Sequence, residues 1–154
     1  MNNEYRKKKI VELKRKNLVN NICKEWFRAG IDIKLDDFIS LKKTMEYQLE
    51  IIQRLDSMDS GGNYSLCAEN CEEKMVFHLK KFVNQDINYI FFEKEATKCG
   101  AIALRGKLIT DNAKELLKKS EFNDKGCCFF LCSEDKSQGF CIWRNEYDIR
   151  LYLW

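Results

Sequence analysis

Ile87-Asn88-Tyr89-Ile90-Phe91-Phe92-Glu93-Lys94-Glu95 is where the hydrophobic period of this 154-residue chain changes. Upstream, apolar residues recur every three or four positions. From Ile87 onward the pattern is that of strands, about two residues per repeat. Further strand-like runs follow at Cys99–Arg105, Cys127–Ser133 and Phe140–Arg144, and in the closing stretch Tyr147-Asp-Ile-Arg-Leu-Tyr-Leu-Trp154. One more helical segment, about 111–120, stands between the second and third of these runs, with Ala113, Leu116 and Leu117 inward and Thr110 or Asp111 as its cap.

Working back from Ile87, three helical stretches are expected. In residues 4–28, Val11, Leu18, Ile22 and Trp26 keep helical spacing and Gly30 is the stop. In residues 36–58, Phe38, Leu41, Met45, Ile52 and Leu55 carry the rhythm. Leu49 and Ile51 widen that stripe, and Asp36 serves as cap. The third runs from about Leu66 to Val83, with Cys67, Cys71, Met75, Leu79 and Phe82 on one face and Ser65 as its cap. The short link around Gly30 to Lys34 predicts that the first two helices pair antiparallel. Asp59-Ser-Gly-Gly-Asn63 is the strongest breaker.

Helices first and strands late predict an α+β fold. Two or three N-terminal helices pack on a largely antiparallel sheet of four to five strands, with one further helix inserted between strand pairs. A single domain over 1–154 is expected, helical over about 4–83 and mixed over about 84–154, because the helical part needs the sheet to cover its apolar stripe.

Composition narrows the class. An apolar fraction of 45% and a charged fraction of 33% are those of a globular protein. No apolar run approaches the roughly 18 residues of a membrane helix, and no apolar stretch follows the basic start as in a signal peptide, so the expected location is the cytosol and no membrane partner is expected. In that compartment the eight cysteines are expected to be reduced. Residues 1–16 hold seven Lys or Arg against two Glu, a net +5 that leaves −2 for the rest of a +3 chain. That is a near-neutral body with a basic end, unlike a globally basic nucleic-acid binder.

Catalytic vocabulary is scarce. There is no Cys-x-x-Cys; Cys67 and Cys71 are four apart on a helix, and Cys128 and Cys132 share a strand face with Phe130 between them, spacings that read as core packing rather than a metal site. His78 is the one histidine, inside Met75-Val-Phe-His-Leu79. A pocket lined by Cys99, Cys127 or His78 is the remaining enzymatic reading. Neither Gly61-Gly62 nor Gly100 to Gly106-Lys107 makes a phosphate loop, and no dinucleotide fingerprint occurs. Glu146 and Asp148, near 7 Å apart on an ideal strand, could hold a metal. A solvated or partner-binding face is the preferred reading. No catalytic residue, metal ligand or cofactor is assigned.

The closing stretch supplies the best candidate surface. Alternation puts Tyr147, Ile149, Leu151 and Leu153 on a core face and Arg144, Glu146, Asp148, Arg150, Tyr152 and Trp154 on the other. Arg, Tyr and Trp are the residue types that dominate interface hot spots. The first expectation is therefore a non-enzymatic protein-binding module of the immunity or inhibitor type, resembling at the level of class the small cytosolic proteins that neutralise bacterial toxins. If the partner is a basic nuclease, the acidic contacts must be local, at Asp56, Asp59, Glu69, Glu72 and Glu73. The alternative is a nucleic-acid-associated protein using Arg6, Lys7, Lys8, Lys9, Lys14, Arg15 and Lys16.

Overall fold

The computed structural model describes residues 3–58, 64–66, 70–123, 128–144 and 148–154, with the backbone alone at 64–66 and 123. Its centre is a six-stranded sheet, β1 (Tyr64–Leu66), β2 (Asn88–Phe91), β3 (Ile102–Arg105), β4 (Cys128–Ser133), β5 (Gly139–Arg144) and β6 (Ile149–Leu153), in the order β1-β6-β5-β4-β2-β3. Every pairing is antiparallel. The class is α+β as expected. The five strands after Ile87 are those read from the sequence, and β1 adds a short sixth where the third helix was expected to begin.

Helices cover both faces of the sheet. On the first, α1 (Asn3–Arg28) contributes Val19, Ile22 and Trp26, and α3 (Cys71–Phe82) contributes Met75 and Leu79. They meet Phe91, Phe129, Phe140 and Leu151 of the sheet in the main core. On the second, α2 (Leu41–Ser57) sets Ile51, Tyr47 and Leu55 against Ile90, Phe92 and Cys132. The short α4 (Ala96–Cys99) packs beside α2, while α5 (Gly106–Asp111) and α6 (Ala113–Lys119) follow β3.

This arrangement corrects the expected pairing of the first two helices. Residues 31–40 are not a tight turn but a strap that passes the sheet edge, with one 3-10 turn at Leu35–Asp37. Phe38 bridges Ile102, and the Ile39 amide donates to Ala101 O at 2.9 Å. The chain thus rounds the edge at β3 and leaves α1 and α2 on opposite faces. For the same reason Asp36 is not the helix cap. Asp36 and Asp37 lie in a 3-10 turn, and Ser40 caps α2 by accepting from Lys43 N at 3.2 Å. α3 starts at Cys71, after Asn70 at φ 57, so Ser65 is not its cap. The single helix expected at 111–120 is two, meeting at Asn112.

Gly100 and Gly139 are positions of close approach. Gly100 has φ +102, and a Cβ there would sit 2.1 Å from Ile39 O. At Gly139 a Cβ would lie 1.9 Å from the Trp154 ring, which occupies that space.

Candidate functional site

The second face of the sheet is only partly roofed. Side chains directly opposite one another in a strand pair point the same way. Arg150 opposes Trp143, and Tyr152 opposes Cys141, so Trp143, Arg150 and Tyr152 share the face that α2 crosses. α2 buries Thr44 and Ile51 beneath it. Along one flank it leaves Met45 63%, Leu49 57% and Ile52 39% exposed, and Trp143 of β5 is 40% exposed. Between this flank and the sheet lies a concavity of about 270 Å³, lined by Ile52, Leu55, Asp56, Trp143 and Tyr152. One turn earlier on α2, Gln48 overlooks a smaller concavity of about 30 Å³ that includes Glu93, Thr97, Glu121 and Phe130. The Phe130 ring of the smaller concavity and the Trp143 ring of the larger stand 6.5 Å apart, so the two concavities are neighbours along one groove-like face.

Glu93 is the unusual residue of the groove. It is 3% exposed. It closes the turn between β2 and α4: its Oε2 accepts from Glu95 N at 2.6 Å, and its backbone O accepts from Ala96 N at 2.8 Å. Burial pushes its carboxyl up from 4.5 to about 7, with Glu95 and Glu25 adding to the rise and the Glu95 amide and Lys94 opposing it.

The six residues expected to form one binding face do not stay together. Arg144 opposes Ile149 across the hairpin, so it points to the other face, where its guanidinium lies over the Phe122 ring at 4.7 Å. The expected face carried one unbroken alternation from Arg144 to Trp154. The chain instead reverses between β5 and β6, which changes the parity on either side. Asp148 holds Arg150 through Nε at 2.8 Å and accepts from Ile149 N at 2.9 Å, fixing the entry to β6. Glu146, one half of the carboxylate pair considered for a metal, lies outside the described residues, as does Tyr147. Tyr152 lines the groove. Trp154 fills the space above Gly139 and lies under Arg54, 5.9 Å away, so it is largely a packing residue.

Of the acidic candidates, Asp56 lines the groove and Glu72 pairs with Lys114 at 3.3 Å, while Asp59 and Glu69 lie outside the described residues. The basic segment is helical. At 100° per residue, Arg6, Lys7, Lys8, Lys9, Lys14, Arg15 and Lys16 point all round α1 rather than along one stripe. Arg15 is committed to the fold, donating from Nε to Cys99 O at 2.9 Å and from Nη2 to Ile39 O at 3.3 Å.

The thiols are poorly placed for nucleophilic chemistry. Burial pushes Cys99 up to about 12 and Cys132 to about 11, and raises Cys141 well above its ordinary value, the opposite of an activated cysteine. Cys67 and Cys127 lie outside the described residues. His78 stacks on Phe82 at 5.9 Å and meets Phe77 edge-on at 5.5 Å. Burial, then Lys81, lowers its pKa. Among the described residues no group of three or more His, Cys, Asp or Glu is placed to hold a metal, and no helix is long and apolar enough to cross a membrane.

A family model matches residues 22–154. The chain belongs to the YxiF protein family. The YxiF match takes in the whole sheet, α2 and the groove, and begins after the basic cluster Arg6 to Lys16 of α1. Neither a curated protein nor a solved structure matches the chain. The groove residues that sequence reasoning passed over are Trp143, Glu93, Glu121 and the outer flank of α2. One signal for that flank was present: the α2 stripe, from Met45 through Leu49 to Ile52, is wider than a helix lying on one sheet needs.

Proposed function

We propose that this chain is a non-enzymatic protein-binding module of the inhibitor or immunity type, acting in the cytoplasm by seating a partner toxin on the groove between α2 and the β5–β6 hairpin. The observation that carries this reading is the exposure of Ile52, Trp143 and their neighbours along a single concave strip. Aromatic and aliphatic groups with few charges at the centre are what protein interfaces use, and a large aromatic in a pocket is the usual anchor. The raised thiols and the ring-packed histidine offer little for catalysis, which favours binding over turnover.

The test is comparative capture. The wild-type chain and the W143D and Y152D variants are immobilised and exposed to extract of the native host. A toxin retained by the wild type and lost from both folded variants supports the reading. Equal retention by all three, or none by the wild type, removes it.

A further inference from the structure

The charge of the groove is one-sided. Among the described residues that line its two concavities, the charged ones are all carboxylates: Glu93 and Glu121 in the smaller, Asp56 in the larger. The cations nearby are otherwise engaged. Arg54 and Lys136 both pair with Glu50, Arg150 holds Asp148, and Lys98 pairs with Glu95. The floor is apolar, so a charge placed there is weakly screened.

Size narrows the complement. The smaller concavity, about 30 Å³, is room for roughly one water-sized group. An ammonium is a compact point charge of that size, whereas a guanidinium is a broad planar fork. The larger concavity, about 270 Å³, takes a bulky apolar or aromatic side chain. Gln48 and Ile52, which overlook the two, are one turn apart on α2, about 6 Å at the helical rise. An extended partner segment advances about 6.6 Å over two residues.

We infer that the groove recognises a basic protein partner, taking a lysine ammonium beside Glu93 and Glu121 and a bulky apolar residue of the same segment between Ile52 and Trp143. Glu93 suits the role. It is buried, Lys94 offsets its burial only in part, and an entering ammonium would supply the missing countercharge. The carboxylate groups that also face it are Glu95 of its own turn and Glu25 of α1. This inference rests on the protein-binding reading above and adds the chemistry of the partner.

The experiment is a selection of displayed random peptides on the immobilised full chain, with the I52D and E93Q variants in parallel. Glutamine keeps an acceptor for the Glu95 amide, so E93Q preserves the turn. The expected result is enrichment of lysine within about two positions of Trp, Phe or Leu. Binding of such a peptide should be lost on I52D and weakened at least tenfold on E93Q. Peptides that need Ile52 but show no lysine preference, or that E93Q binds as well as the wild type, overturn the lysine inference and leave the groove reading standing. Arginine enriched equally with lysine overturns the size argument. A selection that yields no peptide dependent on Ile52 removes both.

Discussion

At the scale of single residues, Glu93 makes the fold sensitive to pH. Its folded pKa of about 7 lies above the ordinary 4.5 because it is buried. A carboxyl that holds its proton more tightly when folded stabilises the fold less as pH rises. Between about 4.5 and 7 the native state binds more protons than the unfolded chain, so the slope of stability with pH is negative there. The difference corresponds to about 3 kcal/mol between pH 4 and pH 8. Denaturant melts at pH 5 and pH 8 should show the wild type losing stability on the alkaline side relative to E93Q, which lacks this titration. Parallel pH profiles for the two proteins would mean that Glu93 titrates normally. None of this is legible in the local sequence. Glu93-Lys94-Glu95 reads as a wet strand end, and only the folded turn into α4 takes Glu93 out of water.

At the scale of elements, α1 divides into two parts. Residues 3–14 are exposed, and the buried contacts begin at Val19. Arg15 fastens the junction by donating to Cys99 O and Ile39 O, carbonyls at the turn before β3 and on the strap that rounds the sheet edge. R15A should therefore cost about 1–3 kcal/mol, the range for a charged donor lost from partly buried carbonyls. K7A or K8A on the exposed turns should change stability by less than about 0.5 kcal/mol. Chemical denaturation of the three variants separates the two parts, and equal small effects would contradict the anchor. The strap makes a second prediction. G100A should be destabilising by about 2 kcal/mol or more, because the new Cβ meets the rigid carbonyl of Ile39 at a backbone angle that favours glycine; a thermal melt matching wild type would show that the strap yields. The helices themselves were legible from their three-four rhythm, but the strap was not. Lys34 to Ser40 contains Leu35, Phe38 and Ile39 at spacings that also fit a helix start, and its pairing to β3 is a contact between segments about 60 residues apart in sequence.

At the scale of the whole molecule, the layering follows from one short run. Tyr89, Ile90, Phe91 and Phe92 are apolar at successive positions, whereas a strand with one wet face alternates. With helices on both sides, Tyr89 and Phe91 reach one core while Ile90 and Phe92 reach the other. The α+β class and the antiparallel sheet could be read from element order. The three-layer arrangement needed the burial of both faces, and the groove exists because α2 is too narrow to roof its side alone. β6 shows how the layers depend on one another. It lies between β1 and β5, and Leu151 is fully buried in the main core while Tyr152 faces the groove. L151A should cost about 2–5 kcal/mol, as for other large-to-small changes in a packed core. Deleting residues 151–154 removes that side chain, the Trp154 ring over Gly139 and both backbone bonds between Trp154 and Gly139. The deletion should abolish the cooperative unfolding transition followed by circular dichroism. R150A, which loses its partly buried pair with Asp148 on the groove face, should keep that transition with a loss of no more than about 1 kcal/mol. A truncated chain that still unfolds cooperatively near the wild-type midpoint would show that β6 is an appendage rather than the strand that closes the sheet.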